Sequence, residues 1–284
     1  LVNDFRIVAR PRRFPRRDKS VAAVLERLGK TREVGDVEAG ALRAMLTTES
    51  SELYLASFQL DALEQVRARL SDGSTAGTMV CAGTGSGKTK AFYLPVLSAV
   101  AESAVKDSNP WARVIAIYPR NELLKDQITE ALAQVDLIAA SGGPVISVGA
   151  YFGPTAFTAN SLERSGGWKS VDGGYACRYI RCPQGCVSDV NWRDEDRVSG
   201  RQIVVCPQCG WTSTEGQLAL TRDTLQATPP HVLFTSTEML NRVLANNIGR
   251  KLVVGPSPQQ TPTTLLLDEV HTYGGVHGAQ VGLL

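Results

Sequence analysis

Two short stretches hold the residues with the most distinctive chemistry. Residues 82–89 read AGTGSGKT, a glycine-rich turn that ends in Lys88 and Thr89. Far along the chain, Asp268 and Glu269 directly follow three consecutive leucines. A glycine-rich turn lets backbone N–H groups converge on phosphates at a helix N-terminus, with a lysine at the terminal phosphates and a hydroxyl on Mg²⁺. Carboxylates at the end of a neighbouring strand supply a metal ligand and a base for the attacking water.

Together these stretches predict a site that binds and hydrolyses a nucleoside triphosphate. We assign Thr89 and Asp268 to Mg²⁺, and Glu269 to the base. His271 is placed to sense the γ-phosphate side, although a lone histidine also suits a structural hydrogen bond. Lys88 completes the catalytic set, and the phosphate cradle consists of Gly83, Thr84, Gly85, Ser86, Gly87, Lys88 and Thr89. The alternative is a glycine-rich hairpin with a chance Lys-Thr pair.

Cysteines give the second chemical signal. The stretches CPQGC and CPQC carry two cysteines each, and nineteen residues separate the pairs. This is the spacing of a structural zinc site, in which each tight turn directs two sulfurs at one ion. Cys177 is a fifth thiol within reach and is an alternative to the first ligand of the set. The predicted zinc ligands are Cys182, Cys186, Cys206 and Cys209.

The elements that must position these residues alternate between strands and helices. Apolar runs predict strands at 77–82, 113–119, 144–152, 231–236 and 263–269, and helical periodicity lies before and between them. Strands that are apolar on both faces and separated by helices predict an α/β fold, with a parallel sheet covered by helices on both faces. Cys81 lies in the first of these strands, so we expect it to be buried and inert.

Composition sets the class of protein. The chain has 284 residues, 43% hydrophobic content and a net charge of +2, which suits one large core or two modest ones. No apolar run approaches the ~20 residues that a membrane span needs, so we expect a cytoplasmic protein without a membrane partner. The basic arm at 6–19 either grips phosphates or is a solvated tail.

Three regions are predicted along the chain. Residues 1–50 form an N-terminal helical and basic extension, and residues 51–157 and 227–284 form a split ATP-binding lobe. Residues 158–226 form an inserted zinc-ribbon-like module. The absence of an initiator Met and of a helix-capping signal at the end leads us to expect a piece of a longer protein.

The motifs resemble those of the superfamily 2 helicases. AGTGSGKT is similar to motif I, DEVH to motif II, YPRNELLKDQ to motif Ia and VLFTSTEML to motif Ib. The stretch DEVHTYGGVHGAQV resembles the form found in MrfA-like and Lhr-like DNA helicases and in the phage-defence helicases DrmA and DpdJ. SFQLDAL resembles the adenine-reading Q motif through Phe58 and Gln59.

This resemblance implies the first RecA-like lobe of an ATP-dependent DNA helicase or translocase in DNA repair or phage defence. ATP and Mg²⁺ would be its cofactors, in addition to Zn²⁺. DNA, a second RecA-like lobe and other subunits of the system would be its partners. Motifs Ia and Ib would hold sugar-phosphate through Arg120, Asn121, Ser236 and Thr237, although Asn121 and Thr237 also suit helix caps.

A nucleotide-switched scaffold is the alternative function. Its zinc module would recruit partners, and nothing would be unwound. Glu269 favours an enzyme, since a binding-only switch needs no base. Because phosphoryl transfer in this family needs a second lobe with an arginine finger, we expect residues 1–284 alone to hydrolyse ATP negligibly.

Overall fold

The computed structural model describes residues 14–48, 51–73, 75–83, 85–245, 252–253, 255, 257 and 260–272. Besides a short π-helix (Leu162–Gly166) and a 3-10 helix (Val270–Thr272), eleven strands and eight α-helices are defined in these ranges. In chain order they are β1 (Arg17–Lys19), α1 (Val21–Thr31), α2 (Asp36–Leu46), β2 (Leu55–Ala56), α3 (Ser57–Asp72), α4 (Lys88–Lys106), β3 (Val114–Ile117), α5 (Asn121–Ala140), β4 (Val148–Tyr151), β5 (Lys169–Val171), β6 (Gly174–Arg181), β7 (Asp189–Arg193), α6 (Asp194–Val198), β8 (Val204–Val205), β9 (Leu218–Ala219), α7 (Arg222–Ala227), β10 (Val232–Thr235), α8 (Thr237–Leu244) and β11 (Thr264–Leu267).

A five-stranded parallel sheet lies at the centre, in the order β11, β3, β10, β4, β9. Alternate residues of its strands face opposite sides. On one side, Val114 and Ala116 of β3 join a core that includes α4 and α5 residues. On the other side, Ile115 and Ile117 pack with α8 residues. The predicted α/β fold with a parallel sheet and helices on both faces is therefore confirmed.

Helices α1 to α3 precede the sheet and carry a buried ion pair. Arg67 of α3 donates to the Glu38 carboxylate of α2 at 2.6 and 3.0 Å, and both side chains are buried. Arg67 also donates to the carbonyl oxygen of Glu33 at 2.7 Å. Its place on the apolar stripe of α3 is explained by this pairing, because a buried charge needs a partner and hydrogen bonds.

A second sheet of four antiparallel strands, β5 to β8, lies between β4 and β9 in the chain. Its core is aromatic: the Trp168 ring lies 5.9 Å from Tyr179 and 6.1 Å from Trp192. We call residues 169–211 the cysteine module. β9 falls inside the insertion predicted at 158–226, yet it pairs with β4 of the central sheet. Those boundaries, and the other two regions, stay predictions.

The strand predicted at 77–82 is wrong. No strand is formed there, Met79 is 79% exposed, and Cys81 is exposed rather than buried. A strand needs a neighbour that pairs with its backbone groups. Within the described ranges β11 is a sheet edge paired on one side with β3, and its Leu265 is 48% exposed. The apolar residues at 77–82 led us to expect a buried strand, but no strand in the described part of the chain pairs with them.

No helix in the described part of the chain is long and apolar enough to cross a membrane.

Candidate nucleotide and nucleic-acid sites

The glycine-rich loop has the backbone that close approach to phosphate requires. Gly85 and Gly87 have φ values of 77° and 89°, in the left-handed region that glycine tolerates best. Gly87 is the N-cap of α4, so Lys88 and Thr89 form its first turn. A Cβ atom at Gly87 would lie 2.8 Å from the Gln59 Nε2 atom, so any other residue here would displace the Gln59 amide. Thr84 lies outside the described residues.

The surroundings of Ser86 indicate whether this loop can bind a phosphate. Its backbone N–H donates to the Gly83 carbonyl at 3.2 Å, and its side chain is buried. The Ser86 hydroxyl has no hydrogen-bond partner among the residues that are described. A buried polar group without a partner costs ~1–3 kcal/mol, and a phosphate oxygen would accept from it. The loop therefore fits a phosphate group.

The N-terminal arm reaches this loop. β1 pairs antiparallel with β2, and Arg17 Nη2 donates to the Ser86 carbonyl at 3.4 Å. A cavity of about 380 Å³ is lined by Phe14, Pro15, Arg17, Gly85 and Ser86. Our sequence analysis noted the basic arm but did not place any residue of it at the phosphate loop. Residues 1–13 of the arm lie outside the described residues.

Gln59 holds the loop through its side-chain amide. Its Oε1 accepts from the Ala56 N–H at 2.8 Å, and its Nε2 donates to the Gly87 carbonyl at 2.8 Å. Gln59 is buried and Phe58 is half-buried. In this arrangement Gln59 positions Gly87. Adenine recognition by Phe58 and Gln59 stays a prediction.

Asp268 and Glu269 directly follow β11, at the carboxyl edge of the sheet. Asp268 Oδ1 accepts from the Glu269 N–H at 2.8 Å. Glu269 has a φ of 50°, which for a non-glycine residue costs on the order of 1–3 kcal/mol. Thr272 secures this conformation, since its N–H and its hydroxyl both donate to the Glu269 carbonyl at 2.8 Å. Sequence analysis missed Thr272, and the side chain of His271 lies outside the described residues.

A buried polar network connects the phosphate-loop helix to motif Ia. The Tyr93 hydroxyl of α4 donates to the Gln127 carbonyl of α5 at 3.0 Å and lies 3.5 Å from the Tyr118 hydroxyl. Burial raises the pKa of Tyr93 well above its ordinary value, and neighbouring groups, including the Asp268 carboxylate, add to the effect. Asp268 is therefore within electrostatic range of α4.

The motif Ia and Ib residues follow two neighbouring strands. Tyr118 donates its N–H to the Thr235 carbonyl at 3.1 Å, so the turns after β3 and β10 lie side by side. Arg120 and Asn121 are exposed, and among the described residues no side chain caps α5. Ser236 caps α8 by accepting from the Met239 N–H at 3.4 Å. Thr237, the cap that the sequence suggested, is buried instead.

The four predicted zinc ligands lie together. The Sγ atoms of Cys182, Cys186, Cys206 and Cys209 are all within 4.8 Å of one another, and those of Cys182 and Cys209 are 3.6 Å apart. Tetrahedral zinc with Zn–S bonds of ~2.3 Å brings sulfurs to about this separation. Cys177 is not in this group, and burial raises its pKa to about 12, so it stays a neutral thiol.

Hydrogen bonds favour a thiolate in this group. Burial opposes ionisation of Cys206, but bonds from the Ser188 hydroxyl and from backbone N–H groups outweigh it and lower its pKa to about 6. The Gln208 N–H donates to Cys206 Sγ at 3.4 Å, and Ser188 Oγ lies at 3.3 Å. A thiolate is the form that binds a metal. The donor set thus fits a zinc ion.

Comparison with known proteins agrees with this geometry. A family model described as DEAD/DEAH box helicase matches residues 57–147, which include α3, the glycine-rich loop and motif Ia. Druantia protein DruE of Escherichia coli (strain UMEA 4076-1) is 28% identical over 291 residues, which cover 84% of this chain. This chain spans 15% of the length of that relative.

The chain is thus similar to the DEAD/DEAH box helicases over the region that holds α3, the glycine-rich loop and motif Ia. The finer likeness to the MrfA-like and Lhr-like helicases, and to DrmA and DpdJ, stays a prediction.

Proposed function

We propose that this chain is the ATP-binding lobe of an ATP-dependent DNA helicase or translocase. The proposal rests on the glycine-rich loop at the start of α4, in which the buried Ser86 hydroxyl has no hydrogen-bond partner among the described residues. The match of residues 57–147 to a DEAD/DEAH box helicase model supports the same activity. DNA repair or phage defence is the setting that we propose, because the DEVH stretch resembles helicases of both kinds.

In this proposal the phosphate loop and the carboxylate pair have separate roles. The loop amides and Ser86 bind phosphates, and Lys88 balances their terminal charge. Thr89 and Asp268 hold Mg²⁺, which when bound would neutralise negative charge on the phosphates. Glu269 accepts the proton of the attacking water. Thr272 keeps the Glu269 backbone in its strained conformation. This fixes the position from which the Glu269 side chain extends.

DNA would lie along the same edge of the sheet. Arg120 and Asn121 follow β3, and Ser236 follows the neighbouring β10, so these polar groups would lie on adjacent turns of one sheet edge. Such groups hold sugar and phosphate without reading the bases. The cysteine module would be stabilised by one structural zinc ion, because its four thiols already lie at suitable separations.

The test is ATPase activity of the full-length protein with single-stranded DNA, RNA, duplex DNA or no nucleic acid. We expect stimulation by single-stranded DNA and loss of activity in Lys88→Ala. Lys106→Ala, at the exposed far end of the same helix, is the matched control and should behave as wild type. Stimulation by no nucleic acid would contradict the proposal and favour the nucleotide-switched scaffold.

A further inference from the structure

Tyr151, Phe157 and Arg222 form a stack that none of the motifs includes. The Arg222 guanidinium carbon lies 5.1 Å from the ring centre of Tyr151 and 4.6 Å from that of Phe157. The cation therefore lies over both rings, an arrangement that electrostatics favours. We call these three residues the stacking cluster.

Backbone hydrogen bonds hold the cluster rigidly. Arg222 Nε donates to the Thr155 carbonyl at 3.0 Å, and its Nη2 donates to the Phe152 carbonyl at 3.1 Å. The Phe157 N–H donates to Ser165 Oγ at 2.9 Å, and its carbonyl accepts from the Asp223 N–H at 3.1 Å.

Phe157 is nevertheless 57% exposed. The Arg222 guanidinium lies over one face of this ring, which leaves the opposite face as the one that a ligand could use. A fixed aromatic ring that contributes little to a core has a face available for a flat partner.

The cluster lies beside the polar groups proposed to hold DNA. Tyr151 ends β4 and is in register with Thr235 of β10, whose hydroxyl donates to the Tyr151 carbonyl at 2.8 Å. Ser236 follows Thr235 directly. Neighbouring strands are ~4.8 Å apart, so the Arg120 turn, the Ser236 turn and the cluster follow one another in short steps along one sheet edge.

We propose that Phe157 is a stacking surface for a base of single-stranded nucleic acid whose phosphates lie at Arg120 and Ser236. This inference rests on the proposed function. Phosphate charge complements Arg120 and Arg222, and an exposed ring beside them offers the base its apolar contact. Every base has a π face, so this contact tolerates any sequence.

The experiment measures binding of fluorescent 12-nucleotide DNA and RNA strands to the full-length protein. Each strand is also prepared with abasic sites throughout. Phe157→Ala should weaken binding of the normal strands by about 5- to 150-fold, because stacking is worth ~1–3 kcal/mol per base. It should leave binding of the abasic strands and the salt dependence unchanged, since no phosphate contact is removed. Phe157→Trp should restore the affinity.

Val105→Ala is the matched control, because Val105 is 59% exposed at the far end of α4. It should not change either affinity. If the wild type binds normal strands but Phe157→Ala binds them equally well, the stacking role is overturned, and a protein contact would be the remaining use of the exposed ring. If the wild type binds no strand at all, the proposed function itself fails.

Discussion

The nucleotide end of the central sheet and the cysteine module are built in opposite ways. In the sheet, β11 pairs with β3, although β4, the cysteine module and β10 lie between them in sequence, and Leu265 of β11 is half-exposed. In the module, β5 to β8 pair with their neighbours in sequence, and Trp192 is fully buried. Local pairing closes with little loop entropy, whereas long-range parallel pairing does not. Strand pairing is therefore local in the module and long-range at the nucleotide site.

The two regions are nevertheless joined along α5. Trp211 Nε1 donates to Asp136 Oδ2 at 2.9 Å, and Arg181 Nη1 lies 3.3 Å from Asp126 Oδ1. α5 begins directly after Arg120, so the module packs on the helix that presents motif Ia. Substitutions confined to one region can show whether the two regions unfold separately.

The largest effect is expected from loss of a metal ligand. Cys206→Ser in the full-length protein should abolish zinc binding and open the cysteine module to protease, because structural zinc stabilises such modules by ~10–16 kcal/mol. Nucleotide affinity should change less than about twofold. Metal analysis, limited proteolysis and nucleotide titration measure these outcomes, with the exposed Cys81→Ser as control. Equal loss of nucleotide binding would show that the two regions are one unit.

At the nucleotide end, Glu269→Gln should lower ATP turnover by ~10²–10⁴-fold, the usual contribution of general-base catalysis. Nucleotide affinity and zinc content should stay as in the wild type. Steady-state kinetics in the presence of single-stranded DNA, together with nucleotide titration, measure the difference. Lys88→Ala should instead weaken binding, and an equal loss of affinity in both variants would contradict the separate roles.

A smaller effect concerns the sheet at low pH. Burial, assisted by the charge of Arg113, lowers the pKa of His231 to about 4, and His231 Nδ1 accepts from the Ser147 N–H at 3.0 Å. The unfolded chain binds this proton near pH 6.5, so acidification from 6.5 to 4 should destabilise the sheet by roughly 2–3 kcal/mol. Above pH 6.5 the contribution is constant.

Denaturant unfolding at pH 7, 5 and 4 measures this dependence. His231→Gln, which keeps an acceptor without the titration, should remove most of the difference between pH 7 and 4. If the free energy of unfolding of this variant falls with pH as steeply as that of the wild type, other groups cause the acid sensitivity.

The smallest effect is expected at the junction of the two regions. Trp211→Phe should weaken the packing of the cysteine module on α5 by ~1 kcal/mol, the net value of a hydrogen bond. Hydrogen exchange of β6 and α5 amides measures the change. A double-mutant cycle with Asp136→Ala measures the coupling energy between Trp211 and Asp136. A coupling energy near zero would mean that other contacts hold the module on α5.

Short motifs were predicted best, because their residues are close in sequence and act through local geometry. The left-handed Gly87 and the start of α4 at Lys88 follow from AGTGSGKT itself. The convergence of the four predicted cysteines follows from two tight turns, each of which places two sulfurs together. The parallel sheet with helices on both faces could likewise be predicted from apolar runs separated by helices.

The sequence by itself thus determined the phosphate loop, the carboxylate pair, the cysteine set and the class of fold. Tertiary structure alone decided that Arg17 reaches the loop, that Thr272 holds Glu269 and that Arg222 lies over the rings of Phe157 and Tyr151. It also decided that residues 77–82 form no strand. The physical reason is the same in each case. Pairing and packing join residues that are distant in the chain, and the apolar or basic character of a residue does not specify which distant group will lie beside it.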